Sequence, residues 1–159
     1  MNEFRLRPAT LDDLEHLLHH RTAMFTEMGF SPEDVRPAVS AARTYLTHAL
    51  PSRSCRAWLA LHEHQIIGGG FLVINDWPGV PGCIGPQYPW ILNVYVEPEF
   101  RRRGVARLLM NQMIDFCRNS GFPFVSLHPS ADGKPLYEKL GFVPTDEMRL
   151  YFKTWQTPS

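Results

Sequence analysis

The stretch Val94-Tyr95-Val96-Glu97-Pro98-Glu99-Phe100-Arg101-Arg102-Arg103-Gly104-Val105-Ala106-Arg107 decides the fold. It opens as an apolar strand, passes a proline-marked turn, sets three arginines against a glycine and enters an apolar-periodic helix at Val105. A helix start offers N–H groups without intrahelical partners and the positive end of the macrodipole. Glycine there removes the side chain that would keep an anion away from the backbone. The pattern reads as a phosphate cradle between a strand and a helix. The competing reading of the same residues is an ordinary strand-to-helix turn with solvated arginines.

On either side of this stretch the chain alternates between strand and helix signals. Residues 4–7 alternate apolar and basic and stop at Pro8, a strand near a sheet edge. Thr10 caps a helix, with Asp13 three residues on, and Leu11, Leu14, Leu17, Leu18, Met24 and Phe25 recur at helical spacing up to Gly29. Ser31-Pro32-Glu33-Asp34 starts a second helix with a cap serine, an N-terminal proline and first-turn acids; it ends near Pro51. Residues 55–61 and 65–75 form a hairpin about His62-Glu63-His64, and Gly68, Gly69 and Gly70 mark a bulge or a close approach within its second strand. Residues 76–89, rich in Pro and Gly, are the longest loop. A strand over 90–96 leads into the cradle. The helix after it carries Val105, Leu108, Leu109, Met113, Phe116 and Cys117 along one face and closes at Gly121. A strand over 123–127, parallel to that over 90–96, a short helix over 131–140 and two final strands over 142–143 and 148–152 complete the order β-αα-β-β-β-α-β-α-β-β. That is an α+β domain, a mixed sheet of about seven strands flanked by about four helices.

At 159 residues the chain makes a single domain over 1–159 with a short tail at 157–159. Lys plus Arg and Asp plus Glu are sixteen each, so no global field draws it to nucleic acid or an anionic membrane. Arg101 to Arg103 is thus a local device. Cys55, Cys83 and Cys117 are odd in number and lack a Cys-x-x-Cys spacing, which argues against a disulfide framework and a thiolate zinc site and for reducing cytosol. His19-His20 and His62-x-His64 lack an obvious third ligand, so no metal is expected. No stretch near the start reads as a signal peptide and no apolar run spans a bilayer. No Gly-x-Gly-x-x-Gly follows the first strand, which disfavours a dinucleotide fold.

Arg101-x-x-Gly104-x-Ala106 and, about thirty residues later, Pro135-Leu136-Tyr137-Glu138-Lys139-Leu140-Gly141-Phe142 occur in this strand order. The pair resembles the two signatures of the GNAT superfamily of acetyl-coenzyme A dependent N-acetyltransferases, and the resemblance covers residues 4–152. It implies a GNAT fold with a mostly antiparallel mixed sheet, acetyl-CoA as co-substrate and no metal. It also implies that the backbone of Val94, Tyr95 and Val96 pairs with the pantetheine arm. Arg101, Arg102, Arg103, Gly104, Val105, Ala106 and Arg107 would then wrap the pyrophosphate.

Tyr137 falls where relatives place the tyrosine that protonates the departing thiolate; otherwise it is a packed aromatic. The glutamate that some relatives carry as base corresponds to Trp90 here. Glu27 is the substitute, in the turn with Phe25 and Met28 that lines the acceptor site in relatives. A solvated helix-end glutamate is the plainer reading of that residue. Asn93 and His128 are further candidates, and Trp77, Tyr88 and Trp90 either line an acceptor pocket or cover the sheet. Cys117, on the apolar face of its helix, is no nucleophile. The expected activity is acetyl transfer to a primary amine, of a small molecule before a protein N-terminus or lysine, by direct attack and in a homodimer. A CoA-binding module without turnover is the alternative.

Overall fold

Local chemistry sets the first elements. The computed structural model describes residues 3–152. Strand β1 (Phe4–Pro8) runs into a 3-10 turn at Leu11–Asp13 and helix α1 (Leu14–Glu27). At that junction Asp13, buried, takes both terminal nitrogens of Arg7 at 2.7 Å and the Thr10 N–H at 2.9 Å. The Arg7 hydrogen bonds hold the Asp13 carboxyl below its ordinary range. Asp13→Ala strands the guanidinium and an N–H donor together, so a loss of about 2 kcal/mol is expected in a urea titration at pH 7. Because its folded pKa is depressed, this contribution is present above the ordinary carboxylate range and fades as pH falls through the folded value.

Helix α2 (Pro32–Ser52) starts as its sequence requires, with the Ser31 hydroxyl accepting from the Asp34 N–H at 3.2 Å. Arg53, in the left-handed region at φ 66°, turns the chain out of it. Strands β2 (Cys55–His62), β3 (Gln65–Asp76) and β4 (Gln87–Val96) follow, then helix α3 (Val105–Asn119), strand β5 (Ser126–Leu127) and helix α4 (Lys134–Lys139). They form one sheet in the order β1-β2-β3-β4-β5, antiparallel except for the parallel pair β4–β5. Alternation along β2 divides the core. Trp58 and Ala60 face α3 with Leu109, Met110 and Met113, while Ala57, Leu59 and Leu61 face α1 and α2 with Leu17, Leu18 and Leu46. No helix of the described residues is long and apolar enough to cross a membrane.

Among the described residues the sheet has five strands rather than seven. Residues 142–152 form no strand; Val143, Met148, Leu150 and Phe152 are all well exposed, because alternation supplies a strand pattern but not the neighbouring edge that makes it a strand. The strand expected over 123–127 is only Ser126–Leu127, and the long loop is shortened to 77–86, where Val80 and Cys83 exchange backbone hydrogen bonds. The expected tail at 157–159 lies outside the described residues.

Candidate active site

Strand β4 carries an extra residue. Gly69 pairs with Tyr95 and Phe71 with Leu92, so two steps along β3 meet three along β4. The bulge holds Asn93 at φ 59°, a left-handed backbone that asparagine tolerates better than most residues. Asn93 is 6% exposed, and both its Nδ2 and Oδ1 lack hydrogen-bond partners. A buried amide with four unused bonding sites is costly unless something outside the described residues uses it.

Beyond the bulge the two parallel strands part. Among the described residues β4 pairs with β5 only at Trp90–Ser126 and Ile91–Leu127, which leaves the edge of β4 from Leu92 onward without a strand partner there on that side. The result is a fork whose open side is lined by the backbone of Val94 and Val96, the Val96 carbonyl already accepting from Arg101, while Tyr95 pairs with Gly69 of β3. A short 3-10 turn (Pro98–Phe100) carries the chain from the fork to α3. Gly104 caps α3 at φ 89°, and a Cβ there would meet nothing within 4 Å, so the space beyond it is open. The Gly104 carbonyl already accepts from the Leu108 N–H, leaving the N–H groups of Val105, Ala106 and Arg107 free of intrahelical partners. No acid lies in the first turn, and Arg102 (φ 61°) and Arg107 have no ion-pair partner among the described residues. Amide-pairing edge, orphaned amide and anion-ready helix start fit an extended cofactor that ends in a pyrophosphate.

The remaining arginines of the run point elsewhere. Arg103 pairs with Glu3 and lies over the rings of Phe4 and Phe100. Arg101 donates from Nε to the Val96 carbonyl at 2.8 Å and grips both Glu27 oxygens at 2.8 Å. The Tyr95 hydroxyl adds a bond to Glu27 at 3.1 Å, and burial with that bond pushes its pKa up to about 12. Glu27 therefore ties the end of α1 to one wall of the fork. Near it Phe25 packs edge-on against Phe30, and Met28 is 46% exposed. On the other side of Tyr95 stacks His20, fully buried.

Tyr137, on α4, packs with Leu136 against the α3-side core and edge-on to Phe142. Its hydroxyl has no hydrogen-bond partner among the described residues, and burial raises its pKa. Gly133 makes room for this ring: a Cβ there would stand 2.8 Å from the hydroxyl oxygen and 2.7 Å from a ring carbon. Sequence reasoning passed over Gly133; its only signal is a glycine four residues before the tyrosine, one helical turn away.

On the α1/α2 side, Tyr88, Trp90 and His128 lie together. Tyr88 donates to or accepts from Ser126 at 3.2 Å, and the His128 ring lies 4.7 Å from that of Trp90. The His128 Nε2 is 2.8 Å from Glu147. His128 follows Leu127, the last paired residue of β5, and so stands at the mouth of the fork. Cys117 is buried in the α3-side core and its thiol is pushed up to about 11.

These features match known proteins. The profile of the acetyltransferase (GNAT) family matches residues 15–142. A GCN5-related N-acetyltransferase from Ralstonia eutropha JMP134 superposes with a TM-score of 0.89 at 32% identity, over 94% of this chain and 98% of that one. A predicted acetyltransferase from Clostridium acetobutylicum, solved with acetyl-CoA, shares the fold at 24% identity and a TM-score of 0.83, over 93% and 95% of the two chains. The [ribosomal protein bS18]-alanine N-acetyltransferase of Salmonella typhimurium is 35% identical over 69 residues, 42% of this chain and 47% of the relative. The match thus spans about half the length of the curated relatives. With a family match over most of its length and a fork that suits an extended CoA, the chain belongs to the acetyltransferase (GNAT) family.

Proposed function

We propose that the chain moves an acetyl group from acetyl-CoA to the primary amine of a small molecule. The observation that carries this reading is the fork itself, an unpaired edge of β4 that runs from the orphaned Asn93 amide toward the free N–H groups beyond Gly104. The backbone of Val94 and Val96 would hold the pantetheine amides. The N–H groups of Val105, Ala106 and Arg107, with the Arg102 and Arg107 guanidiniums, would hold the pyrophosphate. When bound, the co-substrate supplies a thioester whose carbonyl carbon is open to an amine.

This chain's residues then have two protons to manage. Tyr137 serves as the acid for the departing sulfur; burial keeps its phenol protonated, and its hydroxyl is not committed to another partner among the described residues. Glu27, engaged by Arg101 and Tyr95, acts in this reading as a brace of the fork rather than as the base. The amine's proton goes instead to the His128 imidazole, oriented by Glu147 as a base is oriented by a carboxylate. A peptide N-terminus is the second acceptor reading, favoured by the name of the Salmonella relative. Buried free Cys55, Cys83 and Cys117 suit a reducing, cytosolic setting, and the exposed apolar side chains of 143–152 suit a homodimer.

Thiol release from acetyl-CoA, followed with small amines and an alanine-terminated peptide, tests the reading. Release with amines supports it; tight CoA binding without release for any acceptor would leave a binding module. Gly104→Val is expected to weaken CoA binding about 20-fold in calorimetry, through left-handed strain on a β-branched residue and crowding of the phosphates. Gly104→Asn, which tolerates the backbone angle, separates the two causes. Wild-type affinity in both variants would mean the pyrophosphate lies elsewhere.

A further inference from the structure

Arg101, Arg102, Arg103 and Arg107 stand at the start of α3, and the folded chain treats them in two ways. Arg102 and Arg107 have no ion-pair partner among the described residues, whereas Arg101 and Arg103 are each taken by a carboxylate from far away in sequence. Glu27, at the end of α1, accepts from Arg101 Nη2 with both oxygens at 2.8 Å and from the Tyr95 hydroxyl at 3.1 Å. The Arg101 guanidinium also lies 5.3 Å from the centre of the Tyr95 ring, and its Nε donates to the Val96 carbonyl. Glu3, ahead of β1, takes Arg103, whose guanidinium lies 5.2 Å from the Phe4 ring and 5.4 Å from the Phe100 ring. Two of the cations beside Gly104 are thus turned to protein carboxylates and rings. Both lie close to the helix start. Arg103 adjoins Gly104 and Arg101 is three residues before it, so their Cα atoms are at most about 4 Å and about 11 Å from that of the glycine.

We infer that Glu27 and Glu3 withhold Arg101 and Arg103 from the phosphates of the co-substrate and so set how readily spent CoA leaves. The inference rests on the acetyl-transfer reading above. Acetyl-CoA and CoA carry the same phosphates, so a guanidinium placed on them holds substrate and product equally. Such uniform binding tightens the product without lowering the barrier to acetyl transfer. An unpaired guanidinium beside an anion-ready helix start would turn to a phosphate, where a charge-assisted bond is short and strong. The carboxylates offer a competing anion at a fixed position, and the rings under the guanidiniums favour the same arrangement. All four side chains of the two pairs are between 40% and 50% exposed, so their contribution to stability is small and their effect falls on where the arginine charge goes. Glu27→Gln keeps the shape and an acceptor for the Tyr95 hydroxyl, so the wall of the fork stands and only the charge is lost. It should release Arg101 and strengthen CoA binding, the opposite sign from the loss of a brace alone.

The test reads CoA affinity by calorimetry at low and high salt in the full chain. Glu27→Gln and Glu3→Gln are each expected to tighten CoA about fivefold at low salt, with the gain shrinking as salt screens the new contact. CoA dissociation, followed by stopped-flow chase, should slow by the same factor. D-pantetheine, which has no phosphate, should bind the variants and the wild type alike. The Glu27→Gln gain should vanish when Arg101→Met is added, whereas Arg101→Met alone should change CoA affinity less than about twofold. If Glu27→Gln does not fold, Glu3→Gln carries the test, with Arg103→Met as its partner. Unchanged or weaker CoA binding in the glutamine variants, or a gain that survives loss of the arginine, overturns the inference. A larger loss of affinity in Arg101→Met alone would put that guanidinium on the phosphates already and also overturns it. CoA binding without thiol release for any acceptor would sink the acetyl-transfer reading alone, since the affinity comparison needs no turnover. A wild type that binds no CoA would sink both.

Discussion

Tyr137→Phe is expected to lower kcat about 100-fold, at the lower end of what a positioned acid contributes, with CoA affinity changed less than about twofold. The ring keeps its packing on Leu136 and Phe142, because phenylalanine has the same outline, and only the hydroxyl is lost. An acid must be protonated to act. Burial raises the Tyr137 pKa, so the alkaline limb of the kcat profile should fall above the ordinary phenol range near about 10 and vanish in the variant. Gly133→Ala gives an independent handle, since its Cβ would overlap the hydroxyl and the ring edge and displace both. A smaller loss of kcat with the alkaline limb retained is expected there. Unchanged kcat in Tyr137→Phe, read by thiol release across pH, removes Tyr137 as the acid.

What the sequence discloses about such a site follows the range of the forces involved. The strand, the Gly104 turn and α3 are legible from Val94 to Arg107 because their causes are local: period-two alternation, a missing Cβ and apolar spacing along a helix. Asn93 was visible as a polar residue in an apolar strand. Its bulge was not, because which residue is squeezed out depends on the register with Gly69 and Phe71. The Glu27–Arg101–Tyr95 brace joins residues 74 and 68 apart in sequence. No pattern near Glu27 shows that Arg101 and the Tyr95 hydroxyl reach its carboxylate. Arg101 and Arg103 look alike in a run of three, yet one holds Glu27 and the other lies on Phe4 and Phe100, a choice made by the folded surface around each. Residues 148–152 read as a strand for want of the same knowledge, since pairing requires an edge that alternation does not reveal.

The second large effect concerns the wall behind the fork. His20 is 1% exposed, its Nδ1 has no partner and its Nε2 stands 3.8 Å from a Glu97 oxygen that already takes His19 at 2.9 Å. Burial first, then the nearby His19 and His16, bring its pKa down from 6.5 to about 4. Between those two values the unfolded chain binds a proton that the native chain refuses. Stability from this group is therefore full above pH 6.5 and falls as the pH drops toward 4, by about 3 kcal/mol in all. The Arg7-paired Asp13, with a depressed carboxyl, loses its share only at lower pH, so the two windows separate. Urea midpoints from pH 7 to pH 4.5 should show the wild type losing about 2 to 3 kcal/mol and His20→Leu, of similar volume without a titrating ring, losing much less. An equal slope in both proteins would assign the acid sensitivity to other groups. Because His20 stacks on Tyr95, and Tyr95 holds Glu27 and through it Arg101, protonation of this ring loosens the wall of the fork before the rest of the sheet. CoA affinity should accordingly hold at pH 5, where the native ring is still neutral, and fall in the wild type as the pH approaches 4, a fall that His20→Leu does not share.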